Sequence, residues 1–572
     1  MIKLDQIRAE KLIHLAQERF KPDLWDSEKK VLRDSASSKE LPDPDEKAPR
    51  PEVRSEFLRW LATDPEAAPH IDSKGLRVYA ATVLGPLELR GSHVTVIIDC
   101  RCCTFNGMID LRSAETMGIL LTECTAPQTG IRGDRLVIHG PFLFRRCRFG
   151  EEIRMLGVRI DGNLDGSGAS LTSSGISLGL DRAEIAGNVV LSYQQAEVGD
   201  VPEEKYLFTS SGTIRLNNAR VGGQLRCSGA KLATEGNALV MDGAEIQGTV
   251  YFDKGLDTGG AISMAGSKIA GDLAFSGARI ATVYCANMQL LCDLIWLRIQ
   301  ESDQTRLFLG GARVRNLRDD RLSWPNQGEI DLVGLTYEEL TLHDPPTSED
   351  VRKNAYAFEL PLIARERIEW LMLQLPVRRI EPQPWMQLRD LLERKGDHKG
   401  AKYVLFRFRC LQAQKSWILW RWLKIAFAWL EENPFRIVLS IALTLLIGTS
   451  IFTWGGRKQA MIETARYQPN MVRSYDEANK PVPREPVSDH YPHFQPFVYT
   501  LENAVPLIKL GMDEKWAPNP SPEFCQPWFP RLRLLYFLST YGWLNFWRWA
   551  LIVWGWVQAT ILAASVAERF RK

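Results

Sequence analysis

The 572-residue sequence predicts a mainly β fold: a right-handed β-solenoid with an N-terminal helical cap, a C-terminal αα-hairpin and a two-span transmembrane helical domain. Three observations predict it. A phrase recurs, since "ARVGGQLRCSGAKL" (219–232) nearly repeats "ATVLGPLELRGSHV" (81–94). Within each copy apolar and polar residues alternate in short runs, the period of a strand and too brief for a helical face. Near the C-terminus, residues 437–454 and 549–567 run 18 and 19 positions without a charge. That is the length of apolar helix that crosses a bilayer.

Residues 1–51 read as a helix and a linker. The first 20 are charged and amphipathic without a long apolar core, so no signal peptide is expected. "SASSKELPDPDEKAPRP" is a linker by composition. Residues 52–75 then read as a helical cap, with Val53, Phe57, Trp60 and Leu61 on one stripe. A helix there would cover the open edge of the first coil.

The solenoid is expected over 76–342. Aligned on a central glycine, its copies fall at Gly85, Gly107, Gly140, Gly162, Gly187, Gly223, Gly248 and Gly271, with gaps of 22, 33, 22, 25, 36, 25 and 23. The two long gaps read as one coil plus an inserted loop, and the glycines as sharp or left-handed corners. Ile160, Ile185, Val221, Ile246 and Ile269 would form an internal ladder. Eight of the ten cysteines lie here, including "DCRCC" at 99–103. No second Cys or His pair at ligand spacing completes a metal site, so they read as small core residues. The segment holds 26 basic and 31 acidic residues, which argues against nucleic acid as a partner.

Beyond it, 343–415 contains a helical hairpin in "PQPWMQLRDLLERKGDHKGAKYVLFRFRCLQ". Residues 416–436 interleave Trp with Arg and Lys as an interfacial helix would. The first span follows at 437–454, then an extracytoplasmic loop at 455–548, the second span at 549–567 and a cytoplasmic tail at 568–572. Within the loop, 497–510 reads as a re-entrant or interfacial helix. Small residues recur every fourth position as Ser440, Thr444 and Gly448, and as Gly555, Ala559 and Ala563, suiting close helix packing. Gln558 beside them would seek a protein partner. Glu502, Asp513 and Glu514 are candidate pore or loop residues, although the K⁺-filter sequence is absent. With three Lys/Arg before the first span and four after, charge barely orients the chain.

"GVRIDGNLDGSGASL", "NARVGGQLRCSGAKL" and "GAEIQGTVYF", with "SWPNQGEIDLVGLTY" and "FVYTLENAVPLIKLGMDEKWAP", give the chain a family likeness. From about residue 52 onward it resembles bacterial membrane-anchored β-solenoid proteins akin to pentapeptide-repeat proteins. The resemblance implies architecture; some members are labelled membrane-associated oxidoreductases.

The residues lean away from an enzyme. "GSGASL" at 166 lacks the third glycine of a dinucleotide fingerprint. The one C-x-x-C spacing, Cys100 to Cys103, sits in a strand-like run without a helix N-terminus to activate it. His490 and His493 lie on a Pro-rich loop. No cofactor is expected. The leading expectation is an inner-membrane scaffold whose cytoplasmic solenoid meets an unknown protein partner, anchored in the lipid bilayer and assembling with copies of itself. The alternatives are an oligomeric pore or membrane-permeabilising effector, of the phage-defence kind, and an oxidoreductase with an unrecognised site.

Overall fold

The computed structural model describes residues 2–20, 23–40, 50–193, 207–343, 359–360, 364–374, 381–414, 421, 424–425, 429, 434–464, 491–526 and 539–570. The chain divides into two compact units, Met1–Val404 and Leu405–Lys572.

In the first unit the alternating runs become a parallel β-solenoid of about 11 turns. A representative coil carries four strand segments, Arg220–Val221, Leu225–Arg226, Lys231–Leu232 and Asn237–Val240. The first two join one parallel sheet and the last two another. Ile160, Ile185, Val221, Ile246 and Ile269 pair in register as one inward column. None exposes more than 2% of its surface. Burying such a side chain stabilises by roughly 1.5–3 kcal/mol, and each coil repeats the contribution. Aromatic rings pack inside as well: Phe252, Phe275 and Trp296 follow one another at centroid distances of 5.2 Å, the first pair tilted and the second edge-to-face.

The phase of the repeat differs from the one the glycines suggested. Gly85 and Gly107 follow strands of one sheet, Thr82–Leu84 and Thr104–Phe105. Gly140, Gly162, Gly187, Gly223, Gly248 and Gly271 follow the isoleucine column of the other sheet. The gap of 33 residues is therefore one and a half coils, with no inserted loop. The 36-residue gap belongs to a longer coil, in which Ser170 pairs with Thr209; its residues 194–206 lie outside the described residues.

These six glycines also serve a different purpose from the one expected. A Cβ on Gly162 would stand 2.7 Å from the carbonyl of Gly140, and one on Gly248 2.6 Å from that of Gly223. Coils approach too closely there for a side chain. The left-handed corners lie elsewhere, and many are not glycine: Ser113, Arg135, Arg182 and Asn218 on one side, Cys102, Glu123 and Arg146 on the other, all with φ near +55°.

Both ends are covered. Helices α1 (Ile2–Arg19) and α2 (Asp26–Ala36) stand at the first coil, where the Ser35 hydroxyl accepts from the Arg77 N–H at 3.0 Å. Val53 does not belong to the cap helix. It sits in a strand, Glu52–Arg54, that pairs with Thr82–Leu84 and extends the sheet by one rung. Helix α3 (Ser55–Thr63) follows and buries Phe57, Leu58 and Leu61. Residues 41–49 of the linker lie outside the described residues.

At the other end the strand Thr336–His343 pairs antiparallel with Glu359–Leu360, which breaks the parallel series. Helix α4 (Ala364–Met372) brings Arg367 to Asp319, and the two buried groups share bonds of 2.6 and 2.7 Å. Helix α5 (Pro382–Arg394) lays two glutamines on the last coil. Gln383 accepts from the Gly334 N–H and donates to the Leu335 carbonyl, and Gln387 donates to that of Tyr337, each at 2.8 Å. Helix α6 (His398–Gln414) completes the hairpin, with Trp385, Leu388, Leu392, Ala401 and Val404 buried.

Of the tryptophans assigned to an interfacial helix only Trp429 is described, with the Arg436 guanidinium 4.9 Å from its ring. Among its described residues the second unit then has three principal helices, α7 (Pro434–Arg457), α8 (Pro496–Ala504) and α9 (Thr540–Phe570). Among the described residues one helical stretch, Phe435–Arg457, is long and apolar enough to cross a membrane. A short ladder joins Met461–Glu463 to Trp516–Pro518. Helix α8 stops at Ala504, short of position 510. Pro506 disfavours helical geometry in the residue before it, and Val505 is extended with φ −118° and ψ 103°.

Candidate functional site

The residues singled out near the C-terminus converge on one small helical assembly. Helices α7 and α9 run antiparallel, because Gln558 faces Ser440 and Thr444 while Leu544 faces Gly455. The Gln558 amide donates to the Ser440 hydroxyl at 2.7 Å and to that of Thr444 at 3.1 Å. Helix α8 wedges between the two. A Cβ on Gly448 would stand 2.4 Å from Thr500, and one on Gly555 2.0 Å from the Ala504 carbonyl oxygen. Both glycines are thus required by neighbours in the same chain.

The stripe of small residues holds only in part. Ala559 is half-buried and Ala563 exposed, while Leu551, Gly555, Gln558 and Ile561 make the buried face of α9. A helix turns about 100° per residue, so each four-residue step overshoots by about 40°. Two such steps carry Ala563 off the face.

The acidic candidates acquire separate tasks. Both oxygens of Glu502 accept backbone N–H bonds, from Leu510, Gly511, Met512 and Asp513, at 2.7–3.0 Å. One carboxylate thereby holds the turn after α8, where Gly511 has φ +76°. Asp513 lies 3.7 Å from the Arg548 guanidinium, which also reaches Asn503 at 3.4 Å. Glu514 is exposed. The Asn503–Arg548–Asp513 link was invisible in the sequence, since its members come from three separate segments.

On the solenoid a second cluster appears that sequence reading missed. His139 bonds Glu115 at 2.7 Å through Nε2 and Asp161 at 3.1 Å through Nδ1, and His93 bonds Glu115 at 3.0 Å. Arg159 adds a bond of 3.1 Å to Asp161. Glu115 and then Asp161 hold the His139 imidazolium, raising it above its ordinary 6.5. His139 and His93 hold Glu115 below its usual range, as Arg159 and then His139 do for Asp161.

The cysteines are interior. Cys103, Cys124 and Cys147 occupy the same position on successive coils, each just before a paired strand residue. Cys100 is buried beside them, its carbonyl accepting from the Cys124 thiol at 3.3 Å. Burial pushes the Cys227 and Cys285 thiols up to about 12. Among the described residues no group of three or more His, Cys, Asp or Glu is arranged to hold a metal ion. His490 lies outside the described residues. Compared with known proteins, the chain matches no family model, no curated protein and no solved structure.

Proposed function

We propose that the chain is a non-enzymatic, membrane-anchored scaffold, held in the lipid bilayer by two helices and presenting its solenoid to a cytoplasmic protein partner. The observation that carries this reading is the outward apolar surface of α7. Phe435, Val438, Leu439, Leu443, Leu446 and Ile447 are all exposed along it, whereas a core helix of a soluble protein would bury them. Helix α9 supports a second span: Phe546, Trp549, Val553 and Trp556 are exposed at three- and four-residue spacing. The solenoid's slight acidity (26 basic and 31 acidic residues in 76–342) favours a protein partner over nucleic acid. The likeness to pentapeptide-repeat-like membrane proteins rests on the repeat phrases and on this order of elements.

Two spans return the chain to its starting side, which places the loop of 455–548 outside. An impermeant thiol reagent applied to intact cells should therefore label Cys525, while a tag after Lys572 stays protected until the cells are opened. A tag reached first, with Cys525 silent even though it labels after permeabilisation, reverses the orientation.

A pore is the second reading, favoured by the wedge of α8 between α7 and α9. Proteoliposomes holding the purified chain should stay electrically silent if it is a scaffold and conduct if it is a pore. In the pore, Asp513→Asn would alter cation preference.

A further inference from the structure

Helix α8 enters the bundle of α7 and α9 at one end and stops half-way along it. Phe494, just before α8, stands against Gly456 near the end of α7, Thr500 against Gly448, and Ala504 against Gly555 of α9. Gly448 also meets Leu551, and α9 runs opposite to α7, so Gly555 lies level with Thr444. From Gly456 to that level is about 18 Å at 1.5 Å per residue. The charge-free run of α7 is 437–454, so Ala504 reaches its middle. The chain then turns back. Val505–Leu510 is neither helix nor strand. The Glu502 carboxylate gathers the N–H groups of Leu510, Gly511, Met512 and Asp513, and Trp516–Pro518 rejoins the ladder beside Met461–Glu463. Entry and exit are therefore on the same side, and the tip of this hairpin lies at mid-depth.

That tip is poorly suited to lipid. Leu507 is 90% exposed, and Lys509 and Leu510 are exposed beside it. Irregular backbone at such depth is tolerated only inside protein or beside water, because hydrocarbon cannot satisfy its peptide groups. An ammonium at the same depth has the same need. Space inside the bundle is already closed, since a Cβ on Gly448 or Gly555 would collide with α8. The water therefore lies outside one chain's bundle, and a second copy supplies the far wall. Glu502 has both oxygens engaged by four backbone N–H groups, and Asp513 lies 3.7 Å from the Arg548 guanidinium. Within Val505–Gly511 the one charged residue is Lys509. The carbonyl end of α8 offers about half an elementary charge of opposite sign, less than one ammonium. Rings of lysine favour anions. We infer that the tips of several copies, at Leu507 and Lys509, line a water-filled vestibule that admits small inorganic anions to the middle of the bilayer. The inference rests on the membrane-spanning reading above and gives the pore reading a class of ion.

The test is thiol labelling of the full chain in lipid vesicles, with charged methanethiosulfonates as probes and each labelled peptide read by mass spectrometry. Leu507→Cys should react about tenfold faster with the anionic sulfonatoethyl reagent than with the cationic trimethylammonium one, the scale of one nearby unit charge. Both rates are first corrected for the reaction with free cysteine. Adding Lys509→Gln should bring the two rates together. A bis-maleimide should join two copies through Leu507→Cys. Leu443→Cys, on the outward face of α7, should react with neither reagent. A Leu443→Cys that reacts as fast as Leu507→Cys would remove α7 from the bilayer, and with it the reading on which the vestibule rests. With Leu443→Cys silent, an unreactive Leu507→Cys, a faster cationic reagent, or copies never joined in pairs would each overturn the vestibule itself.

Discussion

Val221 and Arg220 are adjacent in the chain and opposite in environment, one at 1% exposure and the other on the surface between Glu184 and Glu245. Val221→Asp or Ile246→Asp should collapse the local coils, since an unpaired buried charge costs several kcal/mol or must be neutralised. Arg220→Ala should change stability by no more than about 0.5 kcal/mol. Urea unfolding of the full chain separates the two, and equal sensitivity would refute the inward and outward assignment. That parity was legible because a strand alternates strictly. The His139 cluster was not. Its partners come from coils 22 and 24 residues away, and a phase error of half a coil moved them to different columns. The cluster carries a pH dependence with a definite sign. Because His139 is raised from 6.5, its contribution is complete below 6.5 and lost as pH climbs through the folded value. Because Glu115 is lowered from 4.5, its contribution is complete above 4.5 and lost as pH falls through its folded value. The contacts are therefore strongest between about 4.5 and 6.5, and His139→Gln should flatten the loss above that window in a pH series of melting curves. A parent and variant with parallel profiles would remove the cluster from the pH response.

Elements were read best where composition alone decides them. The apolar run of α7 and the terminal hairpin follow from residue type and helical period. The misreading of the glycines shows what composition cannot reveal: the same residue serves close approach in one column and a turn in another, and only the coil-to-coil register tells them apart. Helix α8 ended early for a local reason, Pro506, that was visible in the sequence but outweighed by the apolar run around it. The packing of α7, α8 and α9 carries a prediction at this scale. Gly555→Leu would drive a side chain into the Ala504 carbonyl, 2.0 Å from the first added carbon. It should destabilise the bundle, as should Gly448→Leu, while Val553→Leu on the exposed face should leave it unchanged. Thermal unfolding in detergent reads this out. Since both contacts lie within one chain, the loss should appear as lowered stability without a change in particle size. A smaller particle at unchanged stability would mean that the face joins subunits.

At the scale of the molecule, sequence reading found the order of parts, with helices at both ends of the solenoid, but not the contacts that end it. The caps depend on single side chains meeting backbone, and no periodicity announces them. Gln383 and Gln387 stand four residues apart on α5 and supply to the last coil donors and an acceptor that a further coil would supply through its backbone. A stack of identical coils has no preferred length of its own. Each added layer brings the same free energy, which is the condition for open-ended growth, as in a fibre. The two amides therefore act as chain terminators in the polymer sense, and they set a boundary condition that the repeat itself lacks. Replacing both with leucine would present an unpaired edge to any similar edge in solution. The parent should sediment as a discrete particle at every concentration. The doubly substituted chain should sediment faster as concentration rises, with a lag that seeding by preformed assemblies abolishes. A variant that stays discrete would assign the stop to the antiparallel strand Glu359–Leu360 instead.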